Sequence, residues 1–270
     1  MSFLRKRGEK KGDNGRVLVI GGSEDYIGSP FLAGIAALRS GVDWVTIAAP
    51  EKVAFSINSF SPDIITKKVS GDFFTWDNVH EMLEFSEKFD VILIGNGIGL
   101  EAGTKDFVTE FVKHCPKPKV VDADALKLLS GCVKEIDNAI LTPHSKEFEI
   151  LTGEKLPEKI ELKADLLQLF AKKRLVFLLK GKTDIIADKE NVKYNTTGNN
   201  GMTIAGTGDV LAGLAAGLLA QSVSADFFDS AYHAAFINGK LGDYLLKKKG
   251  YGFTASDMIP LIPEIKRKYL

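Results

Sequence analysis

Residues 195–209 read Asn-Thr-Thr-Gly-Asn-Asn-Gly-Met-Thr-Ile-Ala-Gly-Thr-Gly-Asp and run straight into an apolar stretch over 210–220. Gly198, Gly201, Gly206 and Gly208 let the backbone turn where side chains would block it. Asp209 then falls in the first turn of a predicted helix. Backbone N–H groups of Gly206, Thr207 and Gly208 at such a start form an anion site, helped by the helix dipole. A carboxylate there is expected to stay ionised, so beside a bound phosphate it takes a proton rather than giving one. That is the layout of a phosphoryl-transfer site, with Asp209 as the catalytic base. The plain alternative is an N-cap aspartate on a core helix, worth only about 1 kcal/mol of stability.

Such a loop needs a scaffold, and the pattern around it supplies one. Short β-rich runs occupy 16–20, 44–48, 63–67, 90–94, 119–122, 139–141, 175–179 and 184–187. Several are unbroken Val/Ile/Leu runs, as strands buried on both faces require. Helical patterns fall between them at 29–40, 51–60, 76–88, 103–113, 145–152 and 158–173, and continue at 209–221, 225–249 and 256–268. Strand–helix alternation predicts one α/β domain over 1–270, a three-layer α/β/α sandwich around a mostly parallel central sheet.

Ligands of such sheets collect beyond the carboxyl ends of the strands. The unusual loops lie there: Gly21-Gly-Ser after the first strand, Gly95-Asn-Gly-Ile-Gly after the fourth, Asp122-Ala-Asp after the fifth, then Thr142-Pro-His-Ser-Lys-Glu and Lys180-Gly-Lys-Thr-Asp. Two tempting motifs fail. Gly181-Lys182-Thr183 mimics the end of a Walker A loop, yet Val176 stands where that motif needs glycine. The loop from Gly95 is GxGxG rather than GxGxxG and follows the wrong strand for a dinucleotide fingerprint. Asp122 and Asp124 have metal-pair spacing; at most one of them, Asp122, is expected to face the cleft.

Composition narrows the partners. Lys plus Arg and Asp plus Glu are each 35, so no net field recruits nucleic acid or an anionic membrane. The basic run over 5–11 is local and reads as a solvated tail. Two cysteines, Cys115 and Cys132, make no disulfide framework. The opening residues lack the apolar core of a signal peptide, and the run at 210–220 is too short to span a bilayer. The expectation is a cytoplasmic protein acting on small molecules.

With these residues in hand, the chain resembles the ADP- or ATP-dependent NAD(P)H-hydrate dehydratases, a branch of the ribokinase-like superfamily. The resemblance runs almost end to end. It rests on Lys11-Gly-Asp-Asn-Gly-Arg-Val-Leu-Val-Ile-Gly-Gly-Ser, Tyr26-Ile-Gly-Ser-Pro, Ala37-Leu-Arg-Ser-Gly, the GxGxG loop, Asp122-Ala-Asp-Ala-Leu, Leu141-Thr-Pro-His, Leu179-Lys-Gly, the 195–209 loop and Thr254-Ala-Ser-Asp-Met-Ile-Pro. The chain departs from the family pattern at Asn200 and Asn96, where proline is usual, at Ala205, usually glycine, and at Ser29, often alanine. Many members carry a fused epimerase domain; the expectation here is a single dehydratase domain, paired functionally with a separate epimerase.

The resemblance implies that Asp209 activates the C6 hydroxyl of hydrated nicotinamide for attack on the terminal phosphate of ADP or ATP, after which phosphate leaves. It implies nucleotide contacts from Lys180, Gly181, Lys182, Thr183, Asp184, Gly206, Thr207 and Gly208. Substrate contacts are expected from Ser29, Asn96, Gly97, Gly99, Asp122, His144 and Asp209, and Glu147 is expected to hold Mg²⁺ through water. A capping histidine is the alternative for His144, and a solvent-facing helix glutamate for Glu147. Relatives are often homotetramers. The rival activity is an ATP-dependent kinase of a small vitamin alcohol, of the hydroxymethylpyrimidine or hydroxyethylthiazole type, and a catalytically silent binding protein is a third reading.

Overall fold

The computed structural model describes residues 10–222 and 226–270. Strands β1 (Arg16–Ile20), β2 (Trp44–Pro50), β3 (Ile65–Val69), β4 (Val91–Ile94), β5 (Lys119–Val121), β6 (Ala139–Leu141), β7 (Leu175–Leu179), β8 (Asp184–Ala187) and β9 (Val192–Asn195) form one sheet, ordered β3-β2-β1-β4-β5-β6-β7-β8-β9. The pairings from β3 across to β7 are parallel, and β8 and β9 add an antiparallel edge.

The helices are α1 (Gly28–Arg39), α2 (Glu51–Asn58), α3 (Val79–Ser86), α4 (Ala102–His114), α5 (Asp124–Leu128), α6 (Ser145–Thr152), α7 (Ile160–Phe170), α8 (Thr207–Gln221), α9 (Phe227–Lys249), α10 (Ala255–Met258) and α11 (Ile262–Tyr269). Successive strand residues point to opposite faces. Val17 and Val19 of β1 therefore pack into a core with α1, α2, α8, α9, α10 and α11. Leu18 and Ile20 pack into the other, with α3 to α7. This is the expected three-layer sandwich. The sheet order turns around between β1 and β4, and the carboxyl ends of the strands at such a switch point are where sheets of this kind bind ligands.

The elements differ from the sequence reading in five main places. The strand expected over 63–67 runs two residues later, as β3, because Pro62 and Asp63 lie in a turn. β9 was missed because Lys193 and Tyr194 lie exposed on a four-residue edge, which leaves no hydrophobic period to detect. α5 has only five residues, too few for a helical pattern, and starts from Ala123 in a left-handed conformation (φ +51°). The helix expected over 76–88 starts as a 3-10 turn and becomes α-helical at Val79. The single helix expected over 256–268 is broken. Pro260 and Pro263 cannot donate within a helix interior, so α10 stops, a 3-10 turn intervenes, and α11 restarts with proline in its first turn. Residues 5–9 of the basic run and residue 225, the expected first residue of the penultimate long helix, lie outside the described residues.

Candidate active site

Asp209 is the third residue of α8, not its cap. The cap position is Gly206, left-handed at φ +94°. Asp209 Oδ1 accepts two hydrogen bonds from distant parts of the chain: Ser29 Oγ at 2.6 Å and Asn96 Nδ2 at 2.7 Å. The N-cap alternative is thereby excluded. The carboxylate is nevertheless a weaker acid than an ordinary aspartate. Burial dominates and, with the neighbouring Asp122 charge, outweighs the Ser29 and Asn96 bonds and the Lys180 cation; the pKa is pushed up to about 6. At neutral pH the group is still mostly ionised, and a base poised close to the working pH is the better catalyst.

Asp122 is buried at the end of β5 and ties the other loops together. Its Oδ2 accepts from Asn96 Nδ2 (3.0 Å), and its Oδ1 accepts from Thr142 Oγ1 (2.7 Å) and Lys180 Nζ (3.0 Å). Asp124 points elsewhere, to the Gly99 N–H (3.2 Å) and to Lys127, because the chain leaves the extended conformation at Ala123 (φ +51°) and Asp124 already belongs to α5, so the shared face a strand would give the two aspartates is lost. Lys180 also faces Glu147 Oε2 at 3.7 Å. Burial pulls its ammonium pKa down, but the Asp122, Glu147 and Asp209 carboxylates win, and the net direction is upward. It is therefore a fixed cation, and a Cβ built on Gly208 would sit 3.7 Å from its Nζ. The site thus places a positive charge against the glycine-rich start of α8, where an anionic group would bind.

Glu147 is almost fully buried, so the solvent-facing alternative does not hold. Its Oε2 accepts the His144 backbone N–H (2.9 Å). His144 caps α6, its Nδ1 accepting from the N–H groups of Lys146 and Glu147, and that arrangement leaves the proton on Nε2, 3.4 Å from Glu147 Oε1. The capping role is the one the geometry shows; about half of the ring remains exposed.

The 180–184 loop divides. Lys180 turns inward. Asp184 braces the loop, accepting from the Gly181 N–H (3.0 Å) and from Asn195 Nδ2 (2.9 Å), and burial raises its carboxyl pKa against the pull of those bonds. Lys182 is exposed and Thr183 partly so, with neither drawn into the cluster. Gly97 (φ +63°) must be glycine, since a Cβ there would lie 2.6 Å from Tyr26 Cβ and 3.1 Å from Ser29 Cβ.

Three supporting residues escaped the sequence reading. Thr142 was quoted only as part of a motif. Asn195 holds Asp184 and, through Oδ1, Thr197. Asp243 of α9 accepts from the Gly198 N–H and Asn199 Nδ2, mooring the glycine loop. No spacing rule links residues 44 or 45 apart; only a left-handed glycine loop passing over a helix face hints at such a mooring. Conversely, the Lys11-Gly-Asp-Asn-Gly-Arg opening, which helped carry the resemblance, is remote from the site. Its Gly12 and Asn14 N–H groups wrap the Asp43 carboxylate at the amino end of β1.

Comparison with known proteins identifies the family. The chain is 41% identical over 272 residues to a bifunctional NAD(P)H-hydrate repair enzyme of Pyrobaculum aerophilum, covering all of this chain and 54% of that protein. It thus spans about half the length of the bifunctional relatives it matches. It is 35% identical to an ADP-dependent (S)-NAD(P)H-hydrate dehydratase of Cenarchaeum symbiosum, covering 98% of this chain and 93% of that one. The fold superposes on an ADP/ATP-dependent NAD(P)H-hydrate dehydratase of Bacillus subtilis, co-crystallised with ATP/Mg²⁺, with a TM-score of 0.82 at 25% identity, over 99% of this chain and 95% of that one. The sequence model of the NAD(P)H-hydrate dehydratase family matches residues 17–264, and the chain belongs to that family, on the ribokinase-like fold.

Proposed function

We infer that this chain dehydrates the (S)-form of hydrated NADH or NADPH at the expense of ADP or ATP. The observation that carries the reading is the placement of Asp209: a partly buried carboxylate at the start of α8, beside the Gly206-Thr207-Gly208 backbone and the Lys180 cation. Asp209 takes the proton of the C6 hydroxyl as its oxygen bonds to the terminal phosphorus and the bond to the remaining nucleotide breaks. The Gly206, Thr207 and Gly208 N–H groups and Lys180 offset charge on the moving phosphoryl group. Hydroxide leaves poorly and phosphate leaves well, so the C6–O bond then breaks, a proton is lost from the neighbouring carbon, and the dihydropyridine ring is restored. General base catalysis supplies roughly 100- to 10,000-fold of the rate.

Gly97 and Gly99 give the substrate close access to backbone, and the exposed His144 edge and the Lys182-Thr183 turn remain available to the two ligands. Among the described residues no group of three or more acidic, histidine or cysteine side chains is arranged to hold a metal directly. The buried Glu147 carboxylate suits a Mg²⁺ held through water, with nucleotide phosphates as its other ligands; the ion would supply further charge neutralisation. The proposal extends to a homotetramer in the cytoplasm, and to pairing with a separate epimerase, which the bifunctional names of longer relatives support. No helix among the described residues is long and apolar enough to cross a membrane.

The family match and the relative named as a dehydratase favour this reading over a vitamin kinase. The test is the return of near-ultraviolet absorbance when hydrated NADH is mixed with ADP or ATP and Mg²⁺. Asp209→Asn is expected to lose at least about 100-fold in rate while staying folded; a folded variant with near wild-type turnover would refute the assignment.

A further inference from the structure

Two side chains, from separate segments of the chain, converge on one oxygen of Asp209. Ser29 Oγ, at the start of α1, and Asn96 Nδ2, after β4, both donate to Oδ1, at 2.6 Å and 2.7 Å. Among the described residues no hydrogen bond reaches Oδ2. The Asn96 amide also reaches Asp122 Oδ2 at 3.0 Å, so its two N–H bonds span two neighbouring carboxylates. The amide orientation follows from this: flipped, its carbonyl would face both negative charges. As it stands, Asn96 Oδ1 is buried with no partner, a cost accepted only because the other edge is so well used.

We propose that Ser29 and Asn96 are positioning residues that clamp Asp209 through Oδ1, aim Oδ2 at the substrate hydroxyl as the basic atom, and keep the carboxylate charged beside Asp122. The inference rests on the reading of Asp209 as the base. A carboxylate held by one oxygen cannot swing, so the lone pair that receives the proton has a single direction. Donors on the charged form also favour it, which matters because burial and the Asp122 charge both work against ionisation. The charged groups facing Asp209 are Asp122, at the end of β5, and Lys180, after β7; Glu147 lies behind Lys180.

The experiment compares the pH dependence of kcat/KM for wild type, Ser29→Ala, Asn96→Leu and the double variant, alongside a direct carboxyl titration of Asp209 by carbon-13 NMR in the ligand-free protein, assigned with Asp209→Asn. Each single change is expected to move the acid limb and the titration upward together by about one pH unit, a loss of roughly tenfold near pH 5 and far less near pH 8. The double variant is expected to move further. A purely structural role would lower the rate equally at every pH, and that outcome overturns the proposal, as does a titration that stays in place. Should Asn96→Leu not fold, Ser29→Ala and Asn96→Ala decide by the same titration. If Asp209→Asn keeps its rate, the base assignment falls, whereas the titration in the free protein still tests the clamp.

Discussion

Asp209 carries a cost that can be measured without substrate. Its folded pKa of about 6 lies above the ordinary 3.8, chiefly through burial. The folded state therefore binds this proton more tightly than the unfolded chain. The group's contribution to stability is fully present below pH 3.8 and is lost as pH rises through 6. Once ionised it costs up to about 3 kcal/mol relative to the protonated form. Asp209→Asn mimics the uncharged group, so its melting temperature is expected to exceed that of wild type by several degrees near pH 8 and to match it near pH 4. Calorimetry at the two pH values checks this; an equal difference at both would mean that the carboxylate is not desolvated as described. The residue itself was legible in sequence because glycines announce the start of α8, and Asp122 and Lys180 because each ends a strand. What those residues bond to was not legible. Ser29 and Asp209 are 180 positions apart, and burial, which sets the proton affinity, is a property of the assembled layers.

At the scale of elements, the site depends on how closely α1 and α8 approach. Gly213 faces the Ala33 carbonyl and Gly217 the Ala37 backbone, and a Cβ at either position would collide with the facing helix. The small-residue segment of α8 is therefore core, not an exposed face: it is buried from Val210 to Leu219. Replacing glycine by alanine in a free helix gains about 1 kcal/mol. Here the packing reverses the sign, and Gly213→Ala is expected to cost about 1–3 kcal/mol and to lower activity by separating Ser29 from Asp209. Urea melts together with the rate read both effects; a stabilised variant would show that the helices have room to part. Helix α8 was readable as a helix from its apolar run, but not which face its glycines present, because an all-apolar helix has no polar side to orient it.

For the whole molecule, the layered plan was readable because a parallel sheet buried on both faces writes itself as unbroken apolar runs separated by helical patterns. The antiparallel edge was half readable: β8 has three buried residues, whereas β9 turns Lys193 and Tyr194 outward. That edge still matters to the site, since Asn195 at its end holds Asp184 and the chain then crosses α9 to reach the phosphate loop. The working groups come from the ends of four strands, β4 to β7, and the starts of three helices, α1, α6 and α8, so no local segment owns the chemistry. Because Ser29 and Asp209 head two helices whose bodies lie in one continuous core, heat reaches this pair through loosening of that core rather than through fraying of a surface loop. Warming should accordingly speed the enzyme up to its unfolding temperature and halt it there, without the earlier fading seen when a catalytic loop loosens first.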